Sequence, residues 1–343
     1  MWKGQTLSVN TPQTLSVIDT LSEGYRSVNR RPLLLLVPVL LNLYLWFGVQ
    51  LSFGPMITNL VDLFQGQQRA AGAEAQVEQV EQLREWANLN MLMVPRLLPL
   101  NYIPQHSLTQ VGSGSSVDGG APAVQEVYAP LDPQRRVIVA GNIGWVLLAL
   151  VVANLVALTL SAAFLTRLAE AVRGDHANPR QWMRRFGRAW LALLGYFGVM
   201  VGVIIVLGLP LLFLITLMGA LSTPLALMGV AVAGIVGFWA WFYINLAPEA
   251  IVVSGIGPLR ALRASFQIVR QNFFGTLGFL LLSYIIGVGS GVVWLTLQTM
   301  FATTGLVVGI VGSAYIGSGL LAARMAFYRE RLRRWQATAG LRG

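Results

Sequence analysis

Two histidines, a row of glutamates, a few buried-looking amides and one carboxylate at the end of an apolar stretch are the groups in this chain that could do chemistry. His106 and His176 fall on opposite sides of a predicted membrane span, so they cannot form a metal pair or support one nucleophile together. Glu74, Glu78, Glu81 and Glu85 recur at helical spacing. A helix holds such carboxylates in a row rather than around an ion, so the pattern reads as a solvated face. The chain has no Cys, which removes disulfides, thiolate metal sites and cysteine nucleophiles. Neither a Walker-type phosphate loop nor a Gly-x-Ser-x-Gly elbow occurs. The expectation is no catalytic constellation, no metal and no cofactor.

Polar groups within the apolar stretches are the remaining candidates. Asn42, Asn142 and Asn154 could line a polar cavity, and interhelical hydrogen bonds account for them equally well; Asn245 is a further polar residue near the end of an apolar stretch. Glu249 lies at the inner end of an apolar stretch, where Arg260 or Arg263 could pair with it. A charge at the bilayer centre costs roughly 2.5–3.5 kcal/mol or more, and no ionisable residue falls well inside a predicted span. That pattern weighs against a proton-coupled transporter and leaves a passive or ATP-driven one open.

The elements that must position these residues are membrane helices. Of the 343 residues 55% are apolar and 11% charged, against about 25% charged in an average soluble domain. Mean hydropathy is +0.63. A bilayer core about 30 Å thick needs about 20 apolar residues in a helix. Six stretches qualify: 33–53, 137–165, 190–217, 225–246, 273–297 and 305–323. The fold class expected is all-α, a polytopic bundle forming a single integral membrane domain. The first apolar run is long enough to span and lacks a small-residue cleavage site, so it reads as an anchor rather than a secretory signal.

Net charge is +10, and all but one of the 24 basic residues are Arg, the exception being Lys3. Nucleic acid is not implied, because the basic residues flank the apolar stretches. Nineteen of the 24 fall in segments that six spans place on one side, leaving Arg69, Arg84, Arg96, Arg135 and Arg136 on the other. The positive-inside rule then puts both termini in the cytoplasm, and a bacterial cytoplasmic membrane is the expected location. The insertion 54–136 lies outside, with a predicted helix at about 67–89 and a Gly/Ser-rich remainder.

Three basic amphipathic segments precede spans. Ile18, Leu21, Tyr25 and Val28 form a stripe within 14–31; Trp182, Phe186 and Trp190 form one among Arg180, Arg184, Arg185 and Arg188. The third, at 257–272, sets Leu259, Leu262, Phe266 and Val269 beside Arg260, Arg263 and Arg270. Each reads as an interfacial helix in the inner headgroup layer, and the three helix-plus-hairpin units suggest a threefold repeat. Small residues four apart, among them Gly198 and Gly202, Gly229, Ala233 and Gly237, Gly287 and Gly291, and Gly305 and Gly309, predict close helix packing.

The stretch Pro248-Glu249-Ala250-Ile251-Val252-Val253, then Gly257-Pro258-Leu259-Arg260-Ala261-Leu262-Arg263-Ala264-Ser265-Phe266 and Val269-Arg270-Gln271-Asn272-Phe273, carries a resemblance. It resembles the membrane domain attached to some glycerophosphoryl diester phosphodiesterases and related six-span bacterial proteins. The resemblance implies a bundle of about six helices with basic interfacial helices. It does not imply phosphodiesterase chemistry, which belongs in those proteins to a separate soluble barrel. The long insertion departs from the pattern.

The functional expectation is a non-enzymatic membrane protein that organises membrane-protein partners or acidic lipids through Arg184, Arg185, Arg188, Arg260, Arg263 and Arg270. The alternative is a permease-like subunit whose 257–272 helix docks a separate ATPase. A third reading, a membrane enzyme, requires polar residues to converge on one pocket, with Asn42, Asn154 and Asn245 as the best candidates.

Overall fold

The computed structural model describes residues 16–47, 50–52, 137–139, 143–175 and 178–340. The predicted 67–89 helix with its glutamate row, Asn142 and both histidines lie outside the described residues.

Helix α1, Val17–Asn29, starts at a capping box: the Ser16 hydroxyl accepts the Asp19 N–H at 3.1 Å and the Asp19 carboxylate accepts the Ser16 N–H at 3.0 Å. A 3-10 turn at Pro32–Leu35 leads into α2, Leu36–Phe47. The expected 33–53 span is therefore not one helix. Its far end is strand β1, Gln50–Ser52, paired in parallel with β2, Val137–Val139, with Gln50 opposite Val137. This pairing sets the two short segments that flank the insertion in sequence beside each other. Helix α3, Ile143–Arg173, starts later and ends later than the expected 137–165.

Helix α4, Pro179–Val203, runs through a π segment, Ile204–Gly208, into α5, Leu209–Leu221. Pro210 has no N–H to donate to the preceding turn, and the widening of the ladder just before it accommodates that loss. Helix α6, Thr223–Ile244, returns beside α5, with Gly229 against Met218 and Ile215. Short α7, Ala247–Ser254, is closed by Gly255 in the left-handed conformation at φ 67°. Then come α8, Pro258–Gln271, and α9, Phe273–Gly340.

Although helical backbone continues from Phe273 to Gly340, α9 is a hairpin. A straight helix rising about 1.5 Å per residue would hold Trp294 and Gly312 roughly 27 Å apart, and Phe279 and Phe327 roughly 72 Å apart. Instead a Cβ on Gly312 would overlap the Trp294 indole, and the Phe279 and Phe327 rings stack with centroids 4.8 Å apart. Gly305 likewise abuts the Leu297 carbonyl. The two arms, Phe273–Phe301 and Thr304–Ala337, are therefore antiparallel, as the separate 273–297 and 305–323 stretches require.

Five stretches are long and apolar enough to cross a membrane: Val151–Arg173, Pro179–Leu221, Thr223–Ser254, Phe273–Phe301 and Thr304–Ala337. A shorter apolar helix occupies Pro32–Leu43. The most apolar windows of Pro179–Leu221 and Phe273–Phe301 bury none of their residues, while Thr304–Ala337 buries 61% of its own. Apolar surface of that extent belongs against lipid, since soluble monomers rarely expose contiguous patches beyond a few hundred Å². The described chain is almost wholly helical, an architecture compatible with a helical membrane bundle.

The protein core lies at one end. It gathers Leu168 of α3, Leu193 of α4, Phe242 of α6, Ile251 of α7, Val269 of α8 and Phe279, Phe327 and Tyr328 of α9. The α1–α2 segment runs antiparallel beside the second arm: Gly24 lies against the Ala323 backbone, Tyr25 on Gly319, and Val39 and Leu43 against Leu306 and Ile310. Leu21 and Val28 thus pack on protein rather than on headgroups, and of that stripe Ile18 is exposed. The aromatic stripe of α4 also faces protein. Trp182 stacks on Phe186 at 5.4 Å, the Arg167 guanidinium sits 4.3 Å above Trp182, and the Trp190 indole N–H donates to the Thr159 hydroxyl at 3.0 Å. The three amphipathic segments are thus used differently. On α8 Leu259 and Phe266 are exposed with Arg260, Arg263 and Arg270, as on α4 Met183 and Leu191 are exposed with Arg180, Arg184 and Arg188.

Candidate functional site

The core end holds a buried ionic centre. Proline at the first turn of α7 starts that helix and places Glu249 one residue on, facing the second arm of α9. Glu249 is 2% exposed, and its Oε1 accepts the Arg324 Nε at 2.5 Å. The same guanidinium donates through Nη2 to the Asn245 carbonyl at 2.7 Å, so one cation closes the C-terminus of α6 and neutralises the carboxylate below it. Glu249 pairs with Arg324 rather than with Arg260 or Arg263. On the next turn the Ser254 and Tyr328 hydroxyls share a hydrogen bond at 3.0 Å.

The break between α6 and α7 would leave backbone groups unpaired in the core. Ser265 of α8 supplies both partners: its hydroxyl donates to the Tyr243 carbonyl at 2.8 Å and accepts the Leu246 N–H at 3.1 Å. Small Ala261 and Ser265, with Ile268 and Val269, form the face that lets α8 approach this closely.

A second group of arginines caps helix ends, where the last carbonyls lack intrahelical partners. Arg329 donates to the Val172 carbonyl at 2.7 Å, and Arg173 to the Val252 and Val253 carbonyls at 3.3 and 3.2 Å. Arg31 donates to the Asp175 carbonyl at 2.8 Å. Buried Glu170 pairs with Arg167 at 3.2 Å, and the Asp175 carboxylate holds Arg173 and Arg185 at 3.2 Å each. Burial alone would raise the Asp175 carboxyl, but the hydrogen bonds and charges of Arg173 and Arg185 outweigh it and hold the group below the usual carboxylate range.

Against this structural set stand the exposed arginines. Arg260, Arg263 and Arg270 of α8 are exposed, and no hydrogen bond or ion pair engages them among the described residues. Leu259, Arg263, Phe266 and Arg270 fall at i, i+4, i+7 and i+11, one stripe along the helix. Leu259 is 60% and Phe266 45% exposed. Arg184 and Arg188 are exposed on α4, where Arg188 also donates to the Arg184 carbonyl at 3.4 Å. Arg185 is tied to Asp175, with Glu170 3.8 Å away, so it belongs to the internal network.

Asn42, Asn154 and Asn245 do not converge. Asn42 is buried on α2, in the segment that packs at Leu306 and Ile310, and Asn245 lies at Arg324. Those positions on the second arm are separated by on the order of 20 Å of helix. Asn154 is exposed on α3. Sequence reasoning missed Arg324, Ser265, Glu170 and Asp175. The signal for Ser265 was its place within the Ala-Leu-Arg-x-Ser-Phe pattern, and for Arg324 its rank as the first charge after the last apolar stretch.

A family model described as a domain of unknown function (DUF7847) matches residues 15–331. No curated protein and no solved structure matches the chain.

Proposed function

The chain belongs to the DUF7847 family, and we propose that it is a non-enzymatic multi-pass membrane protein, both termini cytoplasmic, that gathers acidic lipids at its inner end. The observation that carries this reading is the division of the arginines. Arg173, Arg185, Arg324 and Arg329 are consumed in ion pairs and helix-end carbonyls, whereas Arg260, Arg263 and Arg270 point outward beside exposed Leu259 and Phe266.

A helix with that surface rests where apolar side chains enter the acyl boundary and guanidinium groups reach lipid phosphates. Each basic residue near an acidic leaflet contributes about 1 kcal/mol, so three favour an acidic over a neutral surface by roughly a hundredfold in equilibrium constant. The 248–273 resemblance to phosphodiesterase membrane domains fits the same architecture and brings no hydrolytic residue with it.

The test is lipid selectivity. The protein is reconstituted in mixed phosphatidylglycerol and phosphatidylcholine vesicles, and the motionally restricted fraction of spin-labelled phosphatidylglycerol is compared with that of phosphatidylcholine. Replacing Arg260, Arg263 and Arg270 together by Gln should remove the preference. An unchanged preference in that variant contradicts the reading.

A further inference from the structure

The basic face of α4 stands beyond the lipid that α8 meets. Helix α6 is 22 residues long, about 33 Å, and so crosses a hydrocarbon core about 30 Å thick. Trp239, Trp241 and Tyr243 at its inner end mark the inner interface. Helix α5 runs antiparallel to α6 from the Ser222 turn, with Gly219 against Ala226 and Gly229 against Met218, a register that sets Ile244 level with Val201 of α4. Arg188 lies about 13 residues farther out, about 20 Å along the helix, or about 15 Å at a tilt of about 40°. The headgroup layer is roughly 5–8 Å thick, so Arg180, Arg184 and Arg188 stand above it in water. By the same measure Pro258, the first residue of α8, is at the outer edge of that layer, its Cγ 3.1 Å from where a Cβ on Gly195 would be.

Arg180, Arg184 and Arg188 are exposed and recur at i, i+4 and i+8, one row along the helix. Beside them runs a second row, Met183, Gly187 and Leu191, in which Met183 is 58% and Leu191 64% exposed. A Cβ on Gly187 would meet nothing within 4 Å, so a hollow separates the two large side chains. Like charges one turn apart repel, and the chain does not compensate this row. Of its inner carboxylates, Glu170 and Asp175 hold Arg167, Arg173 and Arg185, Glu249 holds Arg324, Glu330 holds Arg334 and Asp19 caps α1. Glu23, also on α1, acts on the Arg329 charge. Residues 1–15 and 341–343 contain no Asp or Glu, and the remaining acidic residues belong to the insertion, on the other side of the membrane.

We propose that this face of α4 docks an acidic amphipathic helix of a cytoplasmic protein, with carboxylates one turn apart against the three guanidinium groups and one apolar side chain in the hollow at Gly187. Guanidinium–carboxylate pairs at matched spacing give such a contact its charge complementarity, and an apolar knob seated between side chains of the facing helix gives it register. A second copy of this chain does not fit, because its own inner carboxylates are committed in the same way. Membrane lipid does not fit, because its phosphates lie below the arginine row. The inference rests on the inner-leaflet seat of α8 and adds to that lipid contact a surface for a protein partner.

The probe is a fluorescent synthetic helix with Glu at i, i+4 and i+8 and Leu in the adjacent row, titrated by anisotropy against the full-length chain in phosphatidylcholine nanodiscs. It should bind at least tenfold more tightly than a peptide of the same composition in scrambled order. Replacing Arg180, Arg184 and Arg188 together by Gln should weaken it at least tenfold, and so should Gly187→Leu, which fills the hollow and changes no charge. Equal affinity in the wild type and both variants overturns the site. The triple α8 replacement should leave peptide binding as it is while removing the phosphatidylglycerol preference, so the two readings fail separately. A tenfold loss of peptide binding in that α8 variant would show the probe reading overall charge and overturn the site. A spin label on Met183→Cys in phosphatidylglycerol-containing vesicles should collide with a water-soluble nickel chelate rather than with oxygen. Oxygen-dominated collisions there, or loss of the phosphatidylglycerol preference in the α4 triple variant, would give the face to lipid and overturn the protein partner.

Discussion

Arg324 on the last helical arm closes on Glu249 of α7 with Nε 2.5 Å from Oε1, and the same guanidinium holds the Asn245 carbonyl that ends α6. One side chain thereby joins three helices at the core end. Removing one partner of a buried pair leaves the other charge uncompensated, at a cost of about 3–5 kcal/mol. Arg324→Ala and Glu249→Ala should each lower the Tm in detergent strongly, while Glu249→Leu with Arg324→Met should recover much of the loss. Single variants that melt like the wild type would contradict this assignment.

Ser265 satisfies two backbone groups at the α6–α7 break, so Ser265→Ala leaves the Tyr243 carbonyl and the Leu246 N–H short of partners. The expected destabilisation is about 1–3 kcal/mol. Ser265→Thr, which keeps the hydroxyl but adds a methyl to the close face of α8, should fall between the two. Thermal unfolding of the three proteins checks the order.

The hairpin in α9 fixes distances that a straight helix cannot. Cys-based spin labels at Ile285 and Leu321 occupy facing turns of packed arms whose axes lie about 8–10 Å apart. In one straight helix the same positions would be separated by roughly 54 Å. A pulsed dipolar measurement should give the short distance, and the chain has no native cysteine to interfere.

Asp175 sets a pH dependence. Its carboxyl is held below the usual range in the folded chain, so its contribution is fully present above the unfolded value, about 3.9, and is lost as pH falls through the lower folded value. Asp175→Asn should therefore lower the Tm near neutrality and leave it less sensitive to acid below about pH 4. An acid titration of Tm in both proteins gives the comparison.

Much of the helical layout was legible because a period of apolar residues needs no knowledge of tertiary contacts. The α5–α6 turn at Ser222 and the two arms of α9 follow from where apolar runs pause. The first span was not legible as built: its apolar run to Phe53 includes β1, whose pairing with β2 depends on a partner more than 80 residues away in sequence. Amphipathicity alone also could not separate the three basic segments. The stripes of α1 and α4 match that of α8 in residue type, and each is divided in the fold: Gly24 lies against Ala323 and Trp182 under Arg167, while in α8 Val269 is buried and Leu259 and Phe266 stay exposed. Small residues divided likewise: Gly305 and Gly309 pack against the first arm, while Gly198, Gly202, Gly237 and Gly291 meet nothing within 4 Å. The partner of Glu249 was hidden for the same reason, since Arg324 is distant in sequence and only the packed fold brings the two together.

The most direct test of the account is the depth of α8 in a bilayer. Single cysteines replacing Leu259, Phe266 and Gln267 in the cysteine-free chain are spin-labelled, and their collision rates with oxygen and with a water-soluble nickel chelate are measured in phosphatidylglycerol-containing vesicles. Labels at 259 and 266 should favour oxygen, as in the acyl boundary, and the label at 267 should favour the nickel chelate. Nickel-dominated collisions at all three positions would place α8 in water and contradict the proposed lipid-facing role of its arginine stripe.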